Sequence, residues 1–432
     1  MISARLANYL AARNIHYGWV VAGITFLTML ATAGAMGSAG VLITPLSREF
    51  GWTTEEISSA MAIRLALFGL LGPFAAALMN HFGMRAVIGV ALTLIGGGIL
   101  LSFRMTELWE MVVLWGIVIG VGTGMTALVL GATVATRWFH ARRGVVVGLM
   151  TVSNATGQLI FLPLLASLTE AYGWRVALSL NVVVLALAMV IVLALMRNYP
   201  ADLGLAPYGS RELQPAPIRS ARLSSLLVAP IAALREASVK PVFWILFFTF
   251  FVCGLSTNGL IQTHWISICG DYGVAAVSAA GMLAMIGIFD FIGTLGAGWL
   301  SDRFDNRWLL FWFYGLRGLS LIFLSASGFD YVTLSIFAVF YGLDWVATVP
   351  PTVKLTVENF GRDKANIVFG WIFAAHQLGA ATATFGAGYI RTDYETFLPA
   401  VYIAGFMCLL AALSVLSIGK TVRRDTVVQA AE

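Results

Sequence analysis

Apolar runs bounded by charged or turn-forming clusters recur twelve times along the chain: 18–44, 55–79, 84–103, 110–133, 143–167, 174–196, 241–264, 277–300, 308–327, 332–353, 366–390 and 397–418. A bilayer core about 30 Å thick needs roughly 20 apolar residues per helix, and each run is of that order. The pattern therefore predicts an all-α membrane protein with twelve transmembrane helices. The first run is long and eleven more follow it, which fits a span better than a cleaved signal peptide. Residues 197–240 interrupt the series with Pro200, Pro207, Pro215, Pro217 and six Lys/Arg residues. They predict a linker with one surface helix near 220–237. The resulting division is an N-terminal six-helix bundle over 1–196, a linker over 197–240, a C-terminal six-helix bundle over 241–420 and a tail over 421–432.

Composition agrees. Of the 432 residues, 59% are hydrophobic and 11% charged, less than half the charge density of an ordinary soluble domain, about 25%. A mean hydropathy of +0.87 leaves the bilayer as the solvent for most of the surface. A secreted domain, a nucleic-acid reader and a cytosolic enzyme are excluded on this ground. The three cysteines, Cys253, Cys269 and Cys408, have no disulfide or zinc spacing and read as small packing residues.

The net charge of +5 changes the picture through where its cations fall. With both termini on the inner side, 20 of the 26 Lys/Arg residues fall in inner segments and four (Arg48, Arg104, Arg175, Arg391) in outer loops, while Arg64 and Arg317 lie within spans. Basic residues accumulate on the cytoplasmic side of membrane proteins, so the expectation is a multi-pass protein of the cell inner membrane with both termini and the linker cytoplasmic.

An internal repeat emerges at an offset of 222 residues. Phe50-Gly51 falls on Tyr272-Gly273, Asn80 on Asp302, Arg85 on Arg307, Arg142 on Lys364, Gly148 on Gly370, Gly157 on Gly379 and Tyr172 on Tyr394. A constant offset predicts two halves of shared topology, related by an axis along the membrane normal.

The segment Gly298-Trp-Leu-Ser-Asp302-Arg303-Phe-Asp-Asn-Arg307 between the eighth and ninth spans resembles the Gly-x-x-x-Asp-Arg-x-Gly-Arg loop motif of the major facilitator superfamily. The first-half copy has Asn80 in the acid's place. The resemblance covers nearly the whole chain and implies two six-helix bundles around one cavity opened alternately to either side. It also implies gating at Asp302, Arg303 and Arg307. A narrower similarity, to bacterial monocarboxylate or oxalate/formate-type porters, is carried by three stretches. They are Asn258-Gly259 with His264, Tyr341-Gly-Leu-Asp344-Trp345 with Pro350-Pro351, and Arg-Arg-Gly144 with Asn154-Ala-Thr-Gly157 and Tyr172-Gly173-Trp174-Arg175. Monocarboxylate transporters place an Asp and a substrate-holding Arg four residues apart on the eighth helix. Here Asp290 matches the Asp, Thr294 stands at the Arg position, and the first-helix lysine of the animal members is absent.

Charge inside a span costs roughly 2.5–3.5 kcal/mol on insertion scales, so each of the four such residues needs a partner or a task. Arg317 is expected to pair with Asp344 across the hairpin of spans 9 and 10, although Asp344 also qualifies as a cavity contact. Arg64 is the candidate for an anionic substrate and Asp290 for proton coupling, with an Arg64–Asp290 ion pair as the structural alternative. Asn154 and His376 coincide at the 222 offset near mid-depth, where a pseudo-symmetric cavity places ligand contacts. Asn258 and Gln262, with His264, are further candidates on span 7. Gly116, Gly120 and Gly124 predict close backbone contact for span 4. Gly379, Gly386 and Gly388 are expected to loosen span 11, and Pro350-Pro351 to break span 10.

Five dispersed histidines make no metal site, and no nucleotide loop, nucleophile elbow or carboxylate pair indicates an enzyme or a cofactor. The reading is a monomeric secondary transporter in the lipid bilayer, moving a small organic anion with protons or by exchange, without nucleic-acid partners. Uptake of an aromatic or heterocyclic nutrient such as a riboflavin-like vitamin is one alternative. Drug-like efflux is another, weakened because span 4 lacks the early Arg usual in drug/proton antiporters. A non-transporting sensor on the same fold is the alternative from a different class. The topology has a direct check: a cysteine introduced at Ser220 is inaccessible to an impermeant thiol reagent in intact cells and labelled after permeabilisation, and labelling before permeabilisation inverts the orientation.

Overall fold

A computed structural model describes residues 2–126, 128–210, 212–213 and 224–419, apart from some side chains within helices, including those of 151–152 and 154–160. Twelve helical passes follow one another, numbered here as spans 1 to 12: Gly18–Phe50, Thr54–Phe82, Met84–Ser102, Leu108–Trp138, Arg143–Tyr172, Trp174–Leu195, Pro241–Asp271, Ala276–Ser301, Asn306–Ala326, Tyr331–Phe360, Arg362–Tyr394 and Leu398–Val415. Eleven of these include a segment that is long and apolar enough to cross a membrane among the described residues. The remaining one, Arg143–Tyr172, is a 30-residue helix between two of them. Spans 4, 7 and 10 are interrupted. Span 4 carries a π-helical turn at Val112–Val118, span 7 another at Leu255–Gln262, and span 10 is split into Tyr331–Asp344 and Val349–Phe360. Large apolar side chains such as Val183, Leu187, Val190, Trp312, Leu316 and Leu413 point outward, as they must where lipid rather than water surrounds the helices.

The helix ends are fixed locally. Thr53 and Glu56 form a reciprocal capping box at the start of span 2, while Asp305 and Asp330 cap spans 9 and 10 by accepting backbone N–H bonds. The repeat extends to the turns. Gly51 and Gly273, 222 residues apart, both have left-handed φ (71° and 79°), as do Gly173 and Glu395 (87° and 57°). The loop arginines match too. Arg85 donates to the Leu193 carbonyl near the end of span 6, and Arg307 to the Ile418 carbonyl just past the end of span 12, at 2.8 Å. In each half a cation thus satisfies a carbonyl that a helix end leaves without its usual partner.

Each half has its own apolar core. The second-half core also takes in Phe161, Leu162, Leu165 and Ala166 of span 5, which packs on span 8. The most extensive contact between halves is span 2 against span 11. It runs from the Glu55 N–H donating to Thr392 Oγ1 at 3.2 Å, past Gly69 on Gln377, to an edge-on contact of Phe74 with Trp371 at 6.0 Å. The linker is fastened at both ends on the face that carries the termini. Tyr208 exchanges backbone hydrogen bonds with Trp138 and His140 at 2.8 Å. The helix Ser224–Ala237 docks on span 11 through Trp371 Nε1 donating to the Pro230 carbonyl (2.8 Å) and through Lys364–Glu236 (2.6 Å). The tail expected over 421–432 lies outside the described residues.

Glycines act mainly by closeness. Gly116, Gly120 and Gly124 set span 4 directly on span 2, where a Cβ at Gly120 would stand 3.1 Å from Arg64 Cα. Span 11 is one continuous helix, which corrects the expectation that its glycines loosen it. Gly379 instead lets the Phe251 carbonyl of span 7 approach, to 1.9 Å from where a Cβ would lie. Gly254 does the same for the His376 carbonyl, at 1.7 Å, whereas a Cβ at Gly386 meets nothing. Gly254→Ala should therefore lower the thermal midpoint in detergent, at a cost of about 1–3 kcal/mol for overpacking, and Gly386→Ala should not. Equal midpoints for the two variants would refute the packing account.

A candidate functional site at the break in span 10

Pro350 and Pro351 lack two N–H groups, and their rings clash with the carbonyls four residues earlier, those of Val346 and Ala347. The helix accordingly stops at Asp344 and restarts at Val349. Trp345 and Val349 fall back on bonds to the third preceding carbonyl, Gly342 at 3.0 Å and Val346 at 2.9 Å. The break leaves the Asp344 and Trp345 carbonyls and the Val346 N–H without helical partners, and inside a bilayer such groups must be satisfied by the protein.

Arg317 of span 9 and Asp290 of span 8 supply the partners. Arg317 Nη2 donates to the Asp344 carbonyl and to the Trp345 carbonyl at 3.1 Å. Its Nε donates to Asp344 Oδ2 at 2.7 Å, and its Nη1 to Cys253 Sγ at 3.0 Å. From span 8, Asp290 Oδ1 accepts the Val346 N–H and the Thr294 hydroxyl, both at 2.9 Å. The pairing of Arg317 with Asp344 across the hairpin of spans 9 and 10 is present, and Arg317 also reaches Cys253 of span 7. Thr294, at the position where monocarboxylate transporters carry Arg, replaces an i,i+4 ion pair on span 8 with a hydroxyl hydrogen bond to Asp290. Cys253 also shares a hydrogen bond with Thr348 at 3.3 Å, so it is a polar member of this cluster and not merely a packing residue.

One expectation changes here. The Arg64–Asp290 ion pair is not formed, because the carboxylate is engaged with span 10. Asp344, a candidate cavity contact, is buried with Oδ2 committed to Arg317, while its Oδ1 has no partner among the described residues.

Arg64 stands apart, in the first half. It is 2% exposed. Its Nη1 and Nη2 donate to the Ala35 and Met36 carbonyls of span 1, both at 3.2 Å, and Nε has no partner. The guanidinium lies 5.9 Å from the Trp115 ring of span 4, and no carboxylate pairs with it among the described residues.

Among the other candidates, Asn258 and Gln262 are half-buried on the π-helical turn of span 7, a feature that often marks functional positions. His264 separates from them. It is fully buried, its Nε2 donating to the Thr384 carbonyl at 2.9 Å and its ring against Phe397. His376 stacks on Phe373 at 5.8 Å, with Nδ1 unpartnered. Gln377 beside it is 1% exposed, with Oε1 unpartnered. The Asn154 side chain lies outside the described residues.

The loop residues expected to gate bond within their own half. Asp302 accepts from Lys354 of span 10 at 3.2 Å, Arg303 stacks over Trp299 at 4.0 Å, and Arg307 holds Asp305 and the Ile418 carbonyl. Asn80 in the first half accepts from Arg137 of span 4. Both copies therefore tie the second helix of a half to its fourth. Lys354 was not legible as Asp302's partner, because nothing in its spacing distinguishes it from any other cation near the end of a span.

Twelve passes in two repeated halves, with charged residues buried at mid-depth, define a polytopic membrane transporter. The sequence profile of the Major Facilitator Superfamily matches residues 24–384 and 271–428, and the chain belongs to that superfamily. It is 22% identical over 385 residues to the uncharacterized MFS-type transporter YcxA of Bacillus subtilis, covering 86% of this chain and 87% of that one. It is 26% identical over 405 residues to monocarboxylate transporter 13 of Rattus norvegicus, covering 93% and 88%. In structure it is similar to a partially occluded, inward-open form of the xylose transporter XylE from E. coli (TM-score 0.70, 15% identity, 94% of this chain and 100% of that one). It is also similar to a bacterial homologue of the lysosomal transporter Spinster (TM-score 0.72, 14% identity, 94% and 97%).

Removing one partner of a buried pair leaves an uncompensated charge and costs about 3–5 kcal/mol. Arg317→Gln should cost at least that range, because the variant also abandons two carbonyls. Chemical-denaturation midpoints against wild type measure it, and a change below about 1 kcal/mol would mean that Arg317 does not hold the break.

Proposed function

We propose that this protein is a secondary active transporter that carries a small carboxylate across the cell inner membrane by alternating access, with protons or by exchange, and with both termini cytoplasmic. Arg64 is the observation that carries the reading. A guanidinium buried at mid-span holds only two carbonyls that already serve the helix ladder of span 1, and its Nε has no partner among the described residues. A carboxylate gives an arginine shorter, charge-assisted and bidentate bonds, so an incoming anion competes well against those neutral partners. The similarity to monocarboxylate transporter 13 supports the same substrate class. His376, Gln377, Asn258, Gln262 and Asn154 are the further substrate contacts in this reading. Asp302 and Arg303, with Arg307, stiffen the face at which the halves part.

Asp290 is the proton carrier in this reading. Its Oδ1 is fixed by Val346 and Thr294, while the other oxygen is available to take a proton. Protonation changes what this carboxyl offers to span 10, and so couples a proton to the break.

The two roles predict variants that differ in kind. Arg64→Gln should weaken substrate binding by about 1.5–3 kcal/mol, the usual loss for a hydrogen bond to a charged group. Asp290→Asn keeps the acceptor for Val346 and should retain exchange of substrate while losing pH-driven accumulation in proteoliposomes. Unchanged binding of monocarboxylates in Arg64→Gln would remove the anion site, and accumulation surviving in Asp290→Asn would move the proton elsewhere.

A further inference from the structure

The internal repeat supplies its own control for one surface feature. Between spans 3 and 6, on the face that carries the termini, lies an open groove of about 780 Å³. Phe82, Val90, Leu94, Met189 and Leu193 form its apolar walls, Gly89 and Ala86 leave its floor bare, and Arg85 and Asn198 stand at its terminal-face end. Asn198 accepts the Arg85 backbone N–H at 3.0 Å through Oδ1. Its amide nitrogen donates to no group among the described residues. Arg85 is half-buried as a residue, and its guanidinium, at the exposed end, has the Leu193 carbonyl as its partner and no carboxylate among the described residues.

The second half should carry the same groove if topology alone produced it. At the 222 offset, however, Ala86 becomes Trp308, Gly89 becomes Phe311 and Val90 becomes Trp312. Those three rings pack edge-on against one another, at 5.5 Å for each neighbouring pair. Arg307 there also has a carboxylate partner, Asp305. One half has thus filled the position and neutralised its cation, and the other has kept the position open and its cation without an acid among the described residues.

We propose that the groove between spans 3 and 6 is a binding site for an anionic phospholipid. Its phosphate takes Arg85 and the Asn198 amide N–H, and an acyl chain lies over Gly89 between Val90 and Leu193. Charge complementarity selects the occupant. A zwitterionic lipid brings its own cation to the same place, whereas a phosphatidylglycerol headgroup brings net negative charge to a basic pocket between spans, where such pockets hold acidic headgroups. The site lies on the outer surface of the first half, away from Arg64 and the break in span 10, so a bound lipid would brace spans 3 and 6 without entering the transport path.

The test uses the full-length protein in detergent, with mixed micelles of phosphatidylglycerol or phosphatidylcholine, and reads retained lipid by native mass spectrometry together with the thermal midpoint. Wild type should retain phosphatidylglycerol in preference to phosphatidylcholine. Arg85→Gln should lose roughly fivefold in that preference, the contribution of one basic residue near a headgroup. Because Arg85 also holds a helix-end carbonyl, Gly89→Phe provides an independent variant: it fills the groove as the second half does, leaves Arg85 in place, and should lose phosphatidylglycerol retention as well. Equal retention of the two lipids by wild type would overturn the proposal. So would retention unchanged in Gly89→Phe, or a thermal shift reproduced in full by glycerol phosphate alone.

Discussion

Lipid offers no hydrogen bonds, so every backbone group that a transmembrane helix releases must be satisfied by the protein itself. That constraint organises the second half of this molecule. Two adjacent prolines open span 10, and the groups set free draw Arg317 from span 9, Asp290 from span 8 and, through Arg317, Cys253 from span 7. Charges that look expensive on insertion scales are thereby the means by which a broken helix stays in the membrane. The cluster also ties four helices to one point, so a change at any member reaches the others directly.

The two halves have divided their labour around a common frame. Left-handed turns at Gly51 and Gly273 and the carbonyl-holding arginines Arg85 and Arg307 are shared. The charges are not. The first half holds a single buried cation without an acid among the described residues, and the second holds a self-satisfied network. In the proposed reading this asymmetry separates substrate attraction, in the first half, from proton handling, in the second.

Much of the fold was legible in the sequence because lipid solvation imposes a simple pattern of apolar runs of fixed length, and because the repeat doubles the signal. The pairing of Arg317 with Asp344 was legible too, since few charges are available and each must be met. Less visible was the allegiance of Asp290. Charge counting offered only Arg64 as an alternative partner, whereas Asp290 accepts a backbone N–H at the proline break some sixty residues further on, a neutral group with no sequence signature. The separation of His264 from Asn258 and Gln262 was hidden for a related reason: the wide π turn shifts the helical register, and a periodicity of 3.6 cannot anticipate it. Glycine spacing showed that helices approach closely and did not say which, so Gly379 and Gly388 of span 11 read as flexibility when they are seats for the backbone of span 7 and the Ser58 side chain of span 2.

The seam between spans 2 and 11 has a mechanical corollary. Gly69 meets Gln377 close to the middle of both helices, with Glu55–Thr392 toward one end and Phe74–Trp371 toward the other. A contact at the middle of a lever exerts no torque on it and favours neither side. In the proposed alternating-access reading, the tilt is weighted by contacts toward the two ends, Glu55–Thr392 and Gly388 on Ser58 at one and the Phe74–Trp371 rings at the other. A lineage of such proteins would be able to retune its preference for one side by trading single residues at those ends, leaving the fulcrum and everything bound near it untouched.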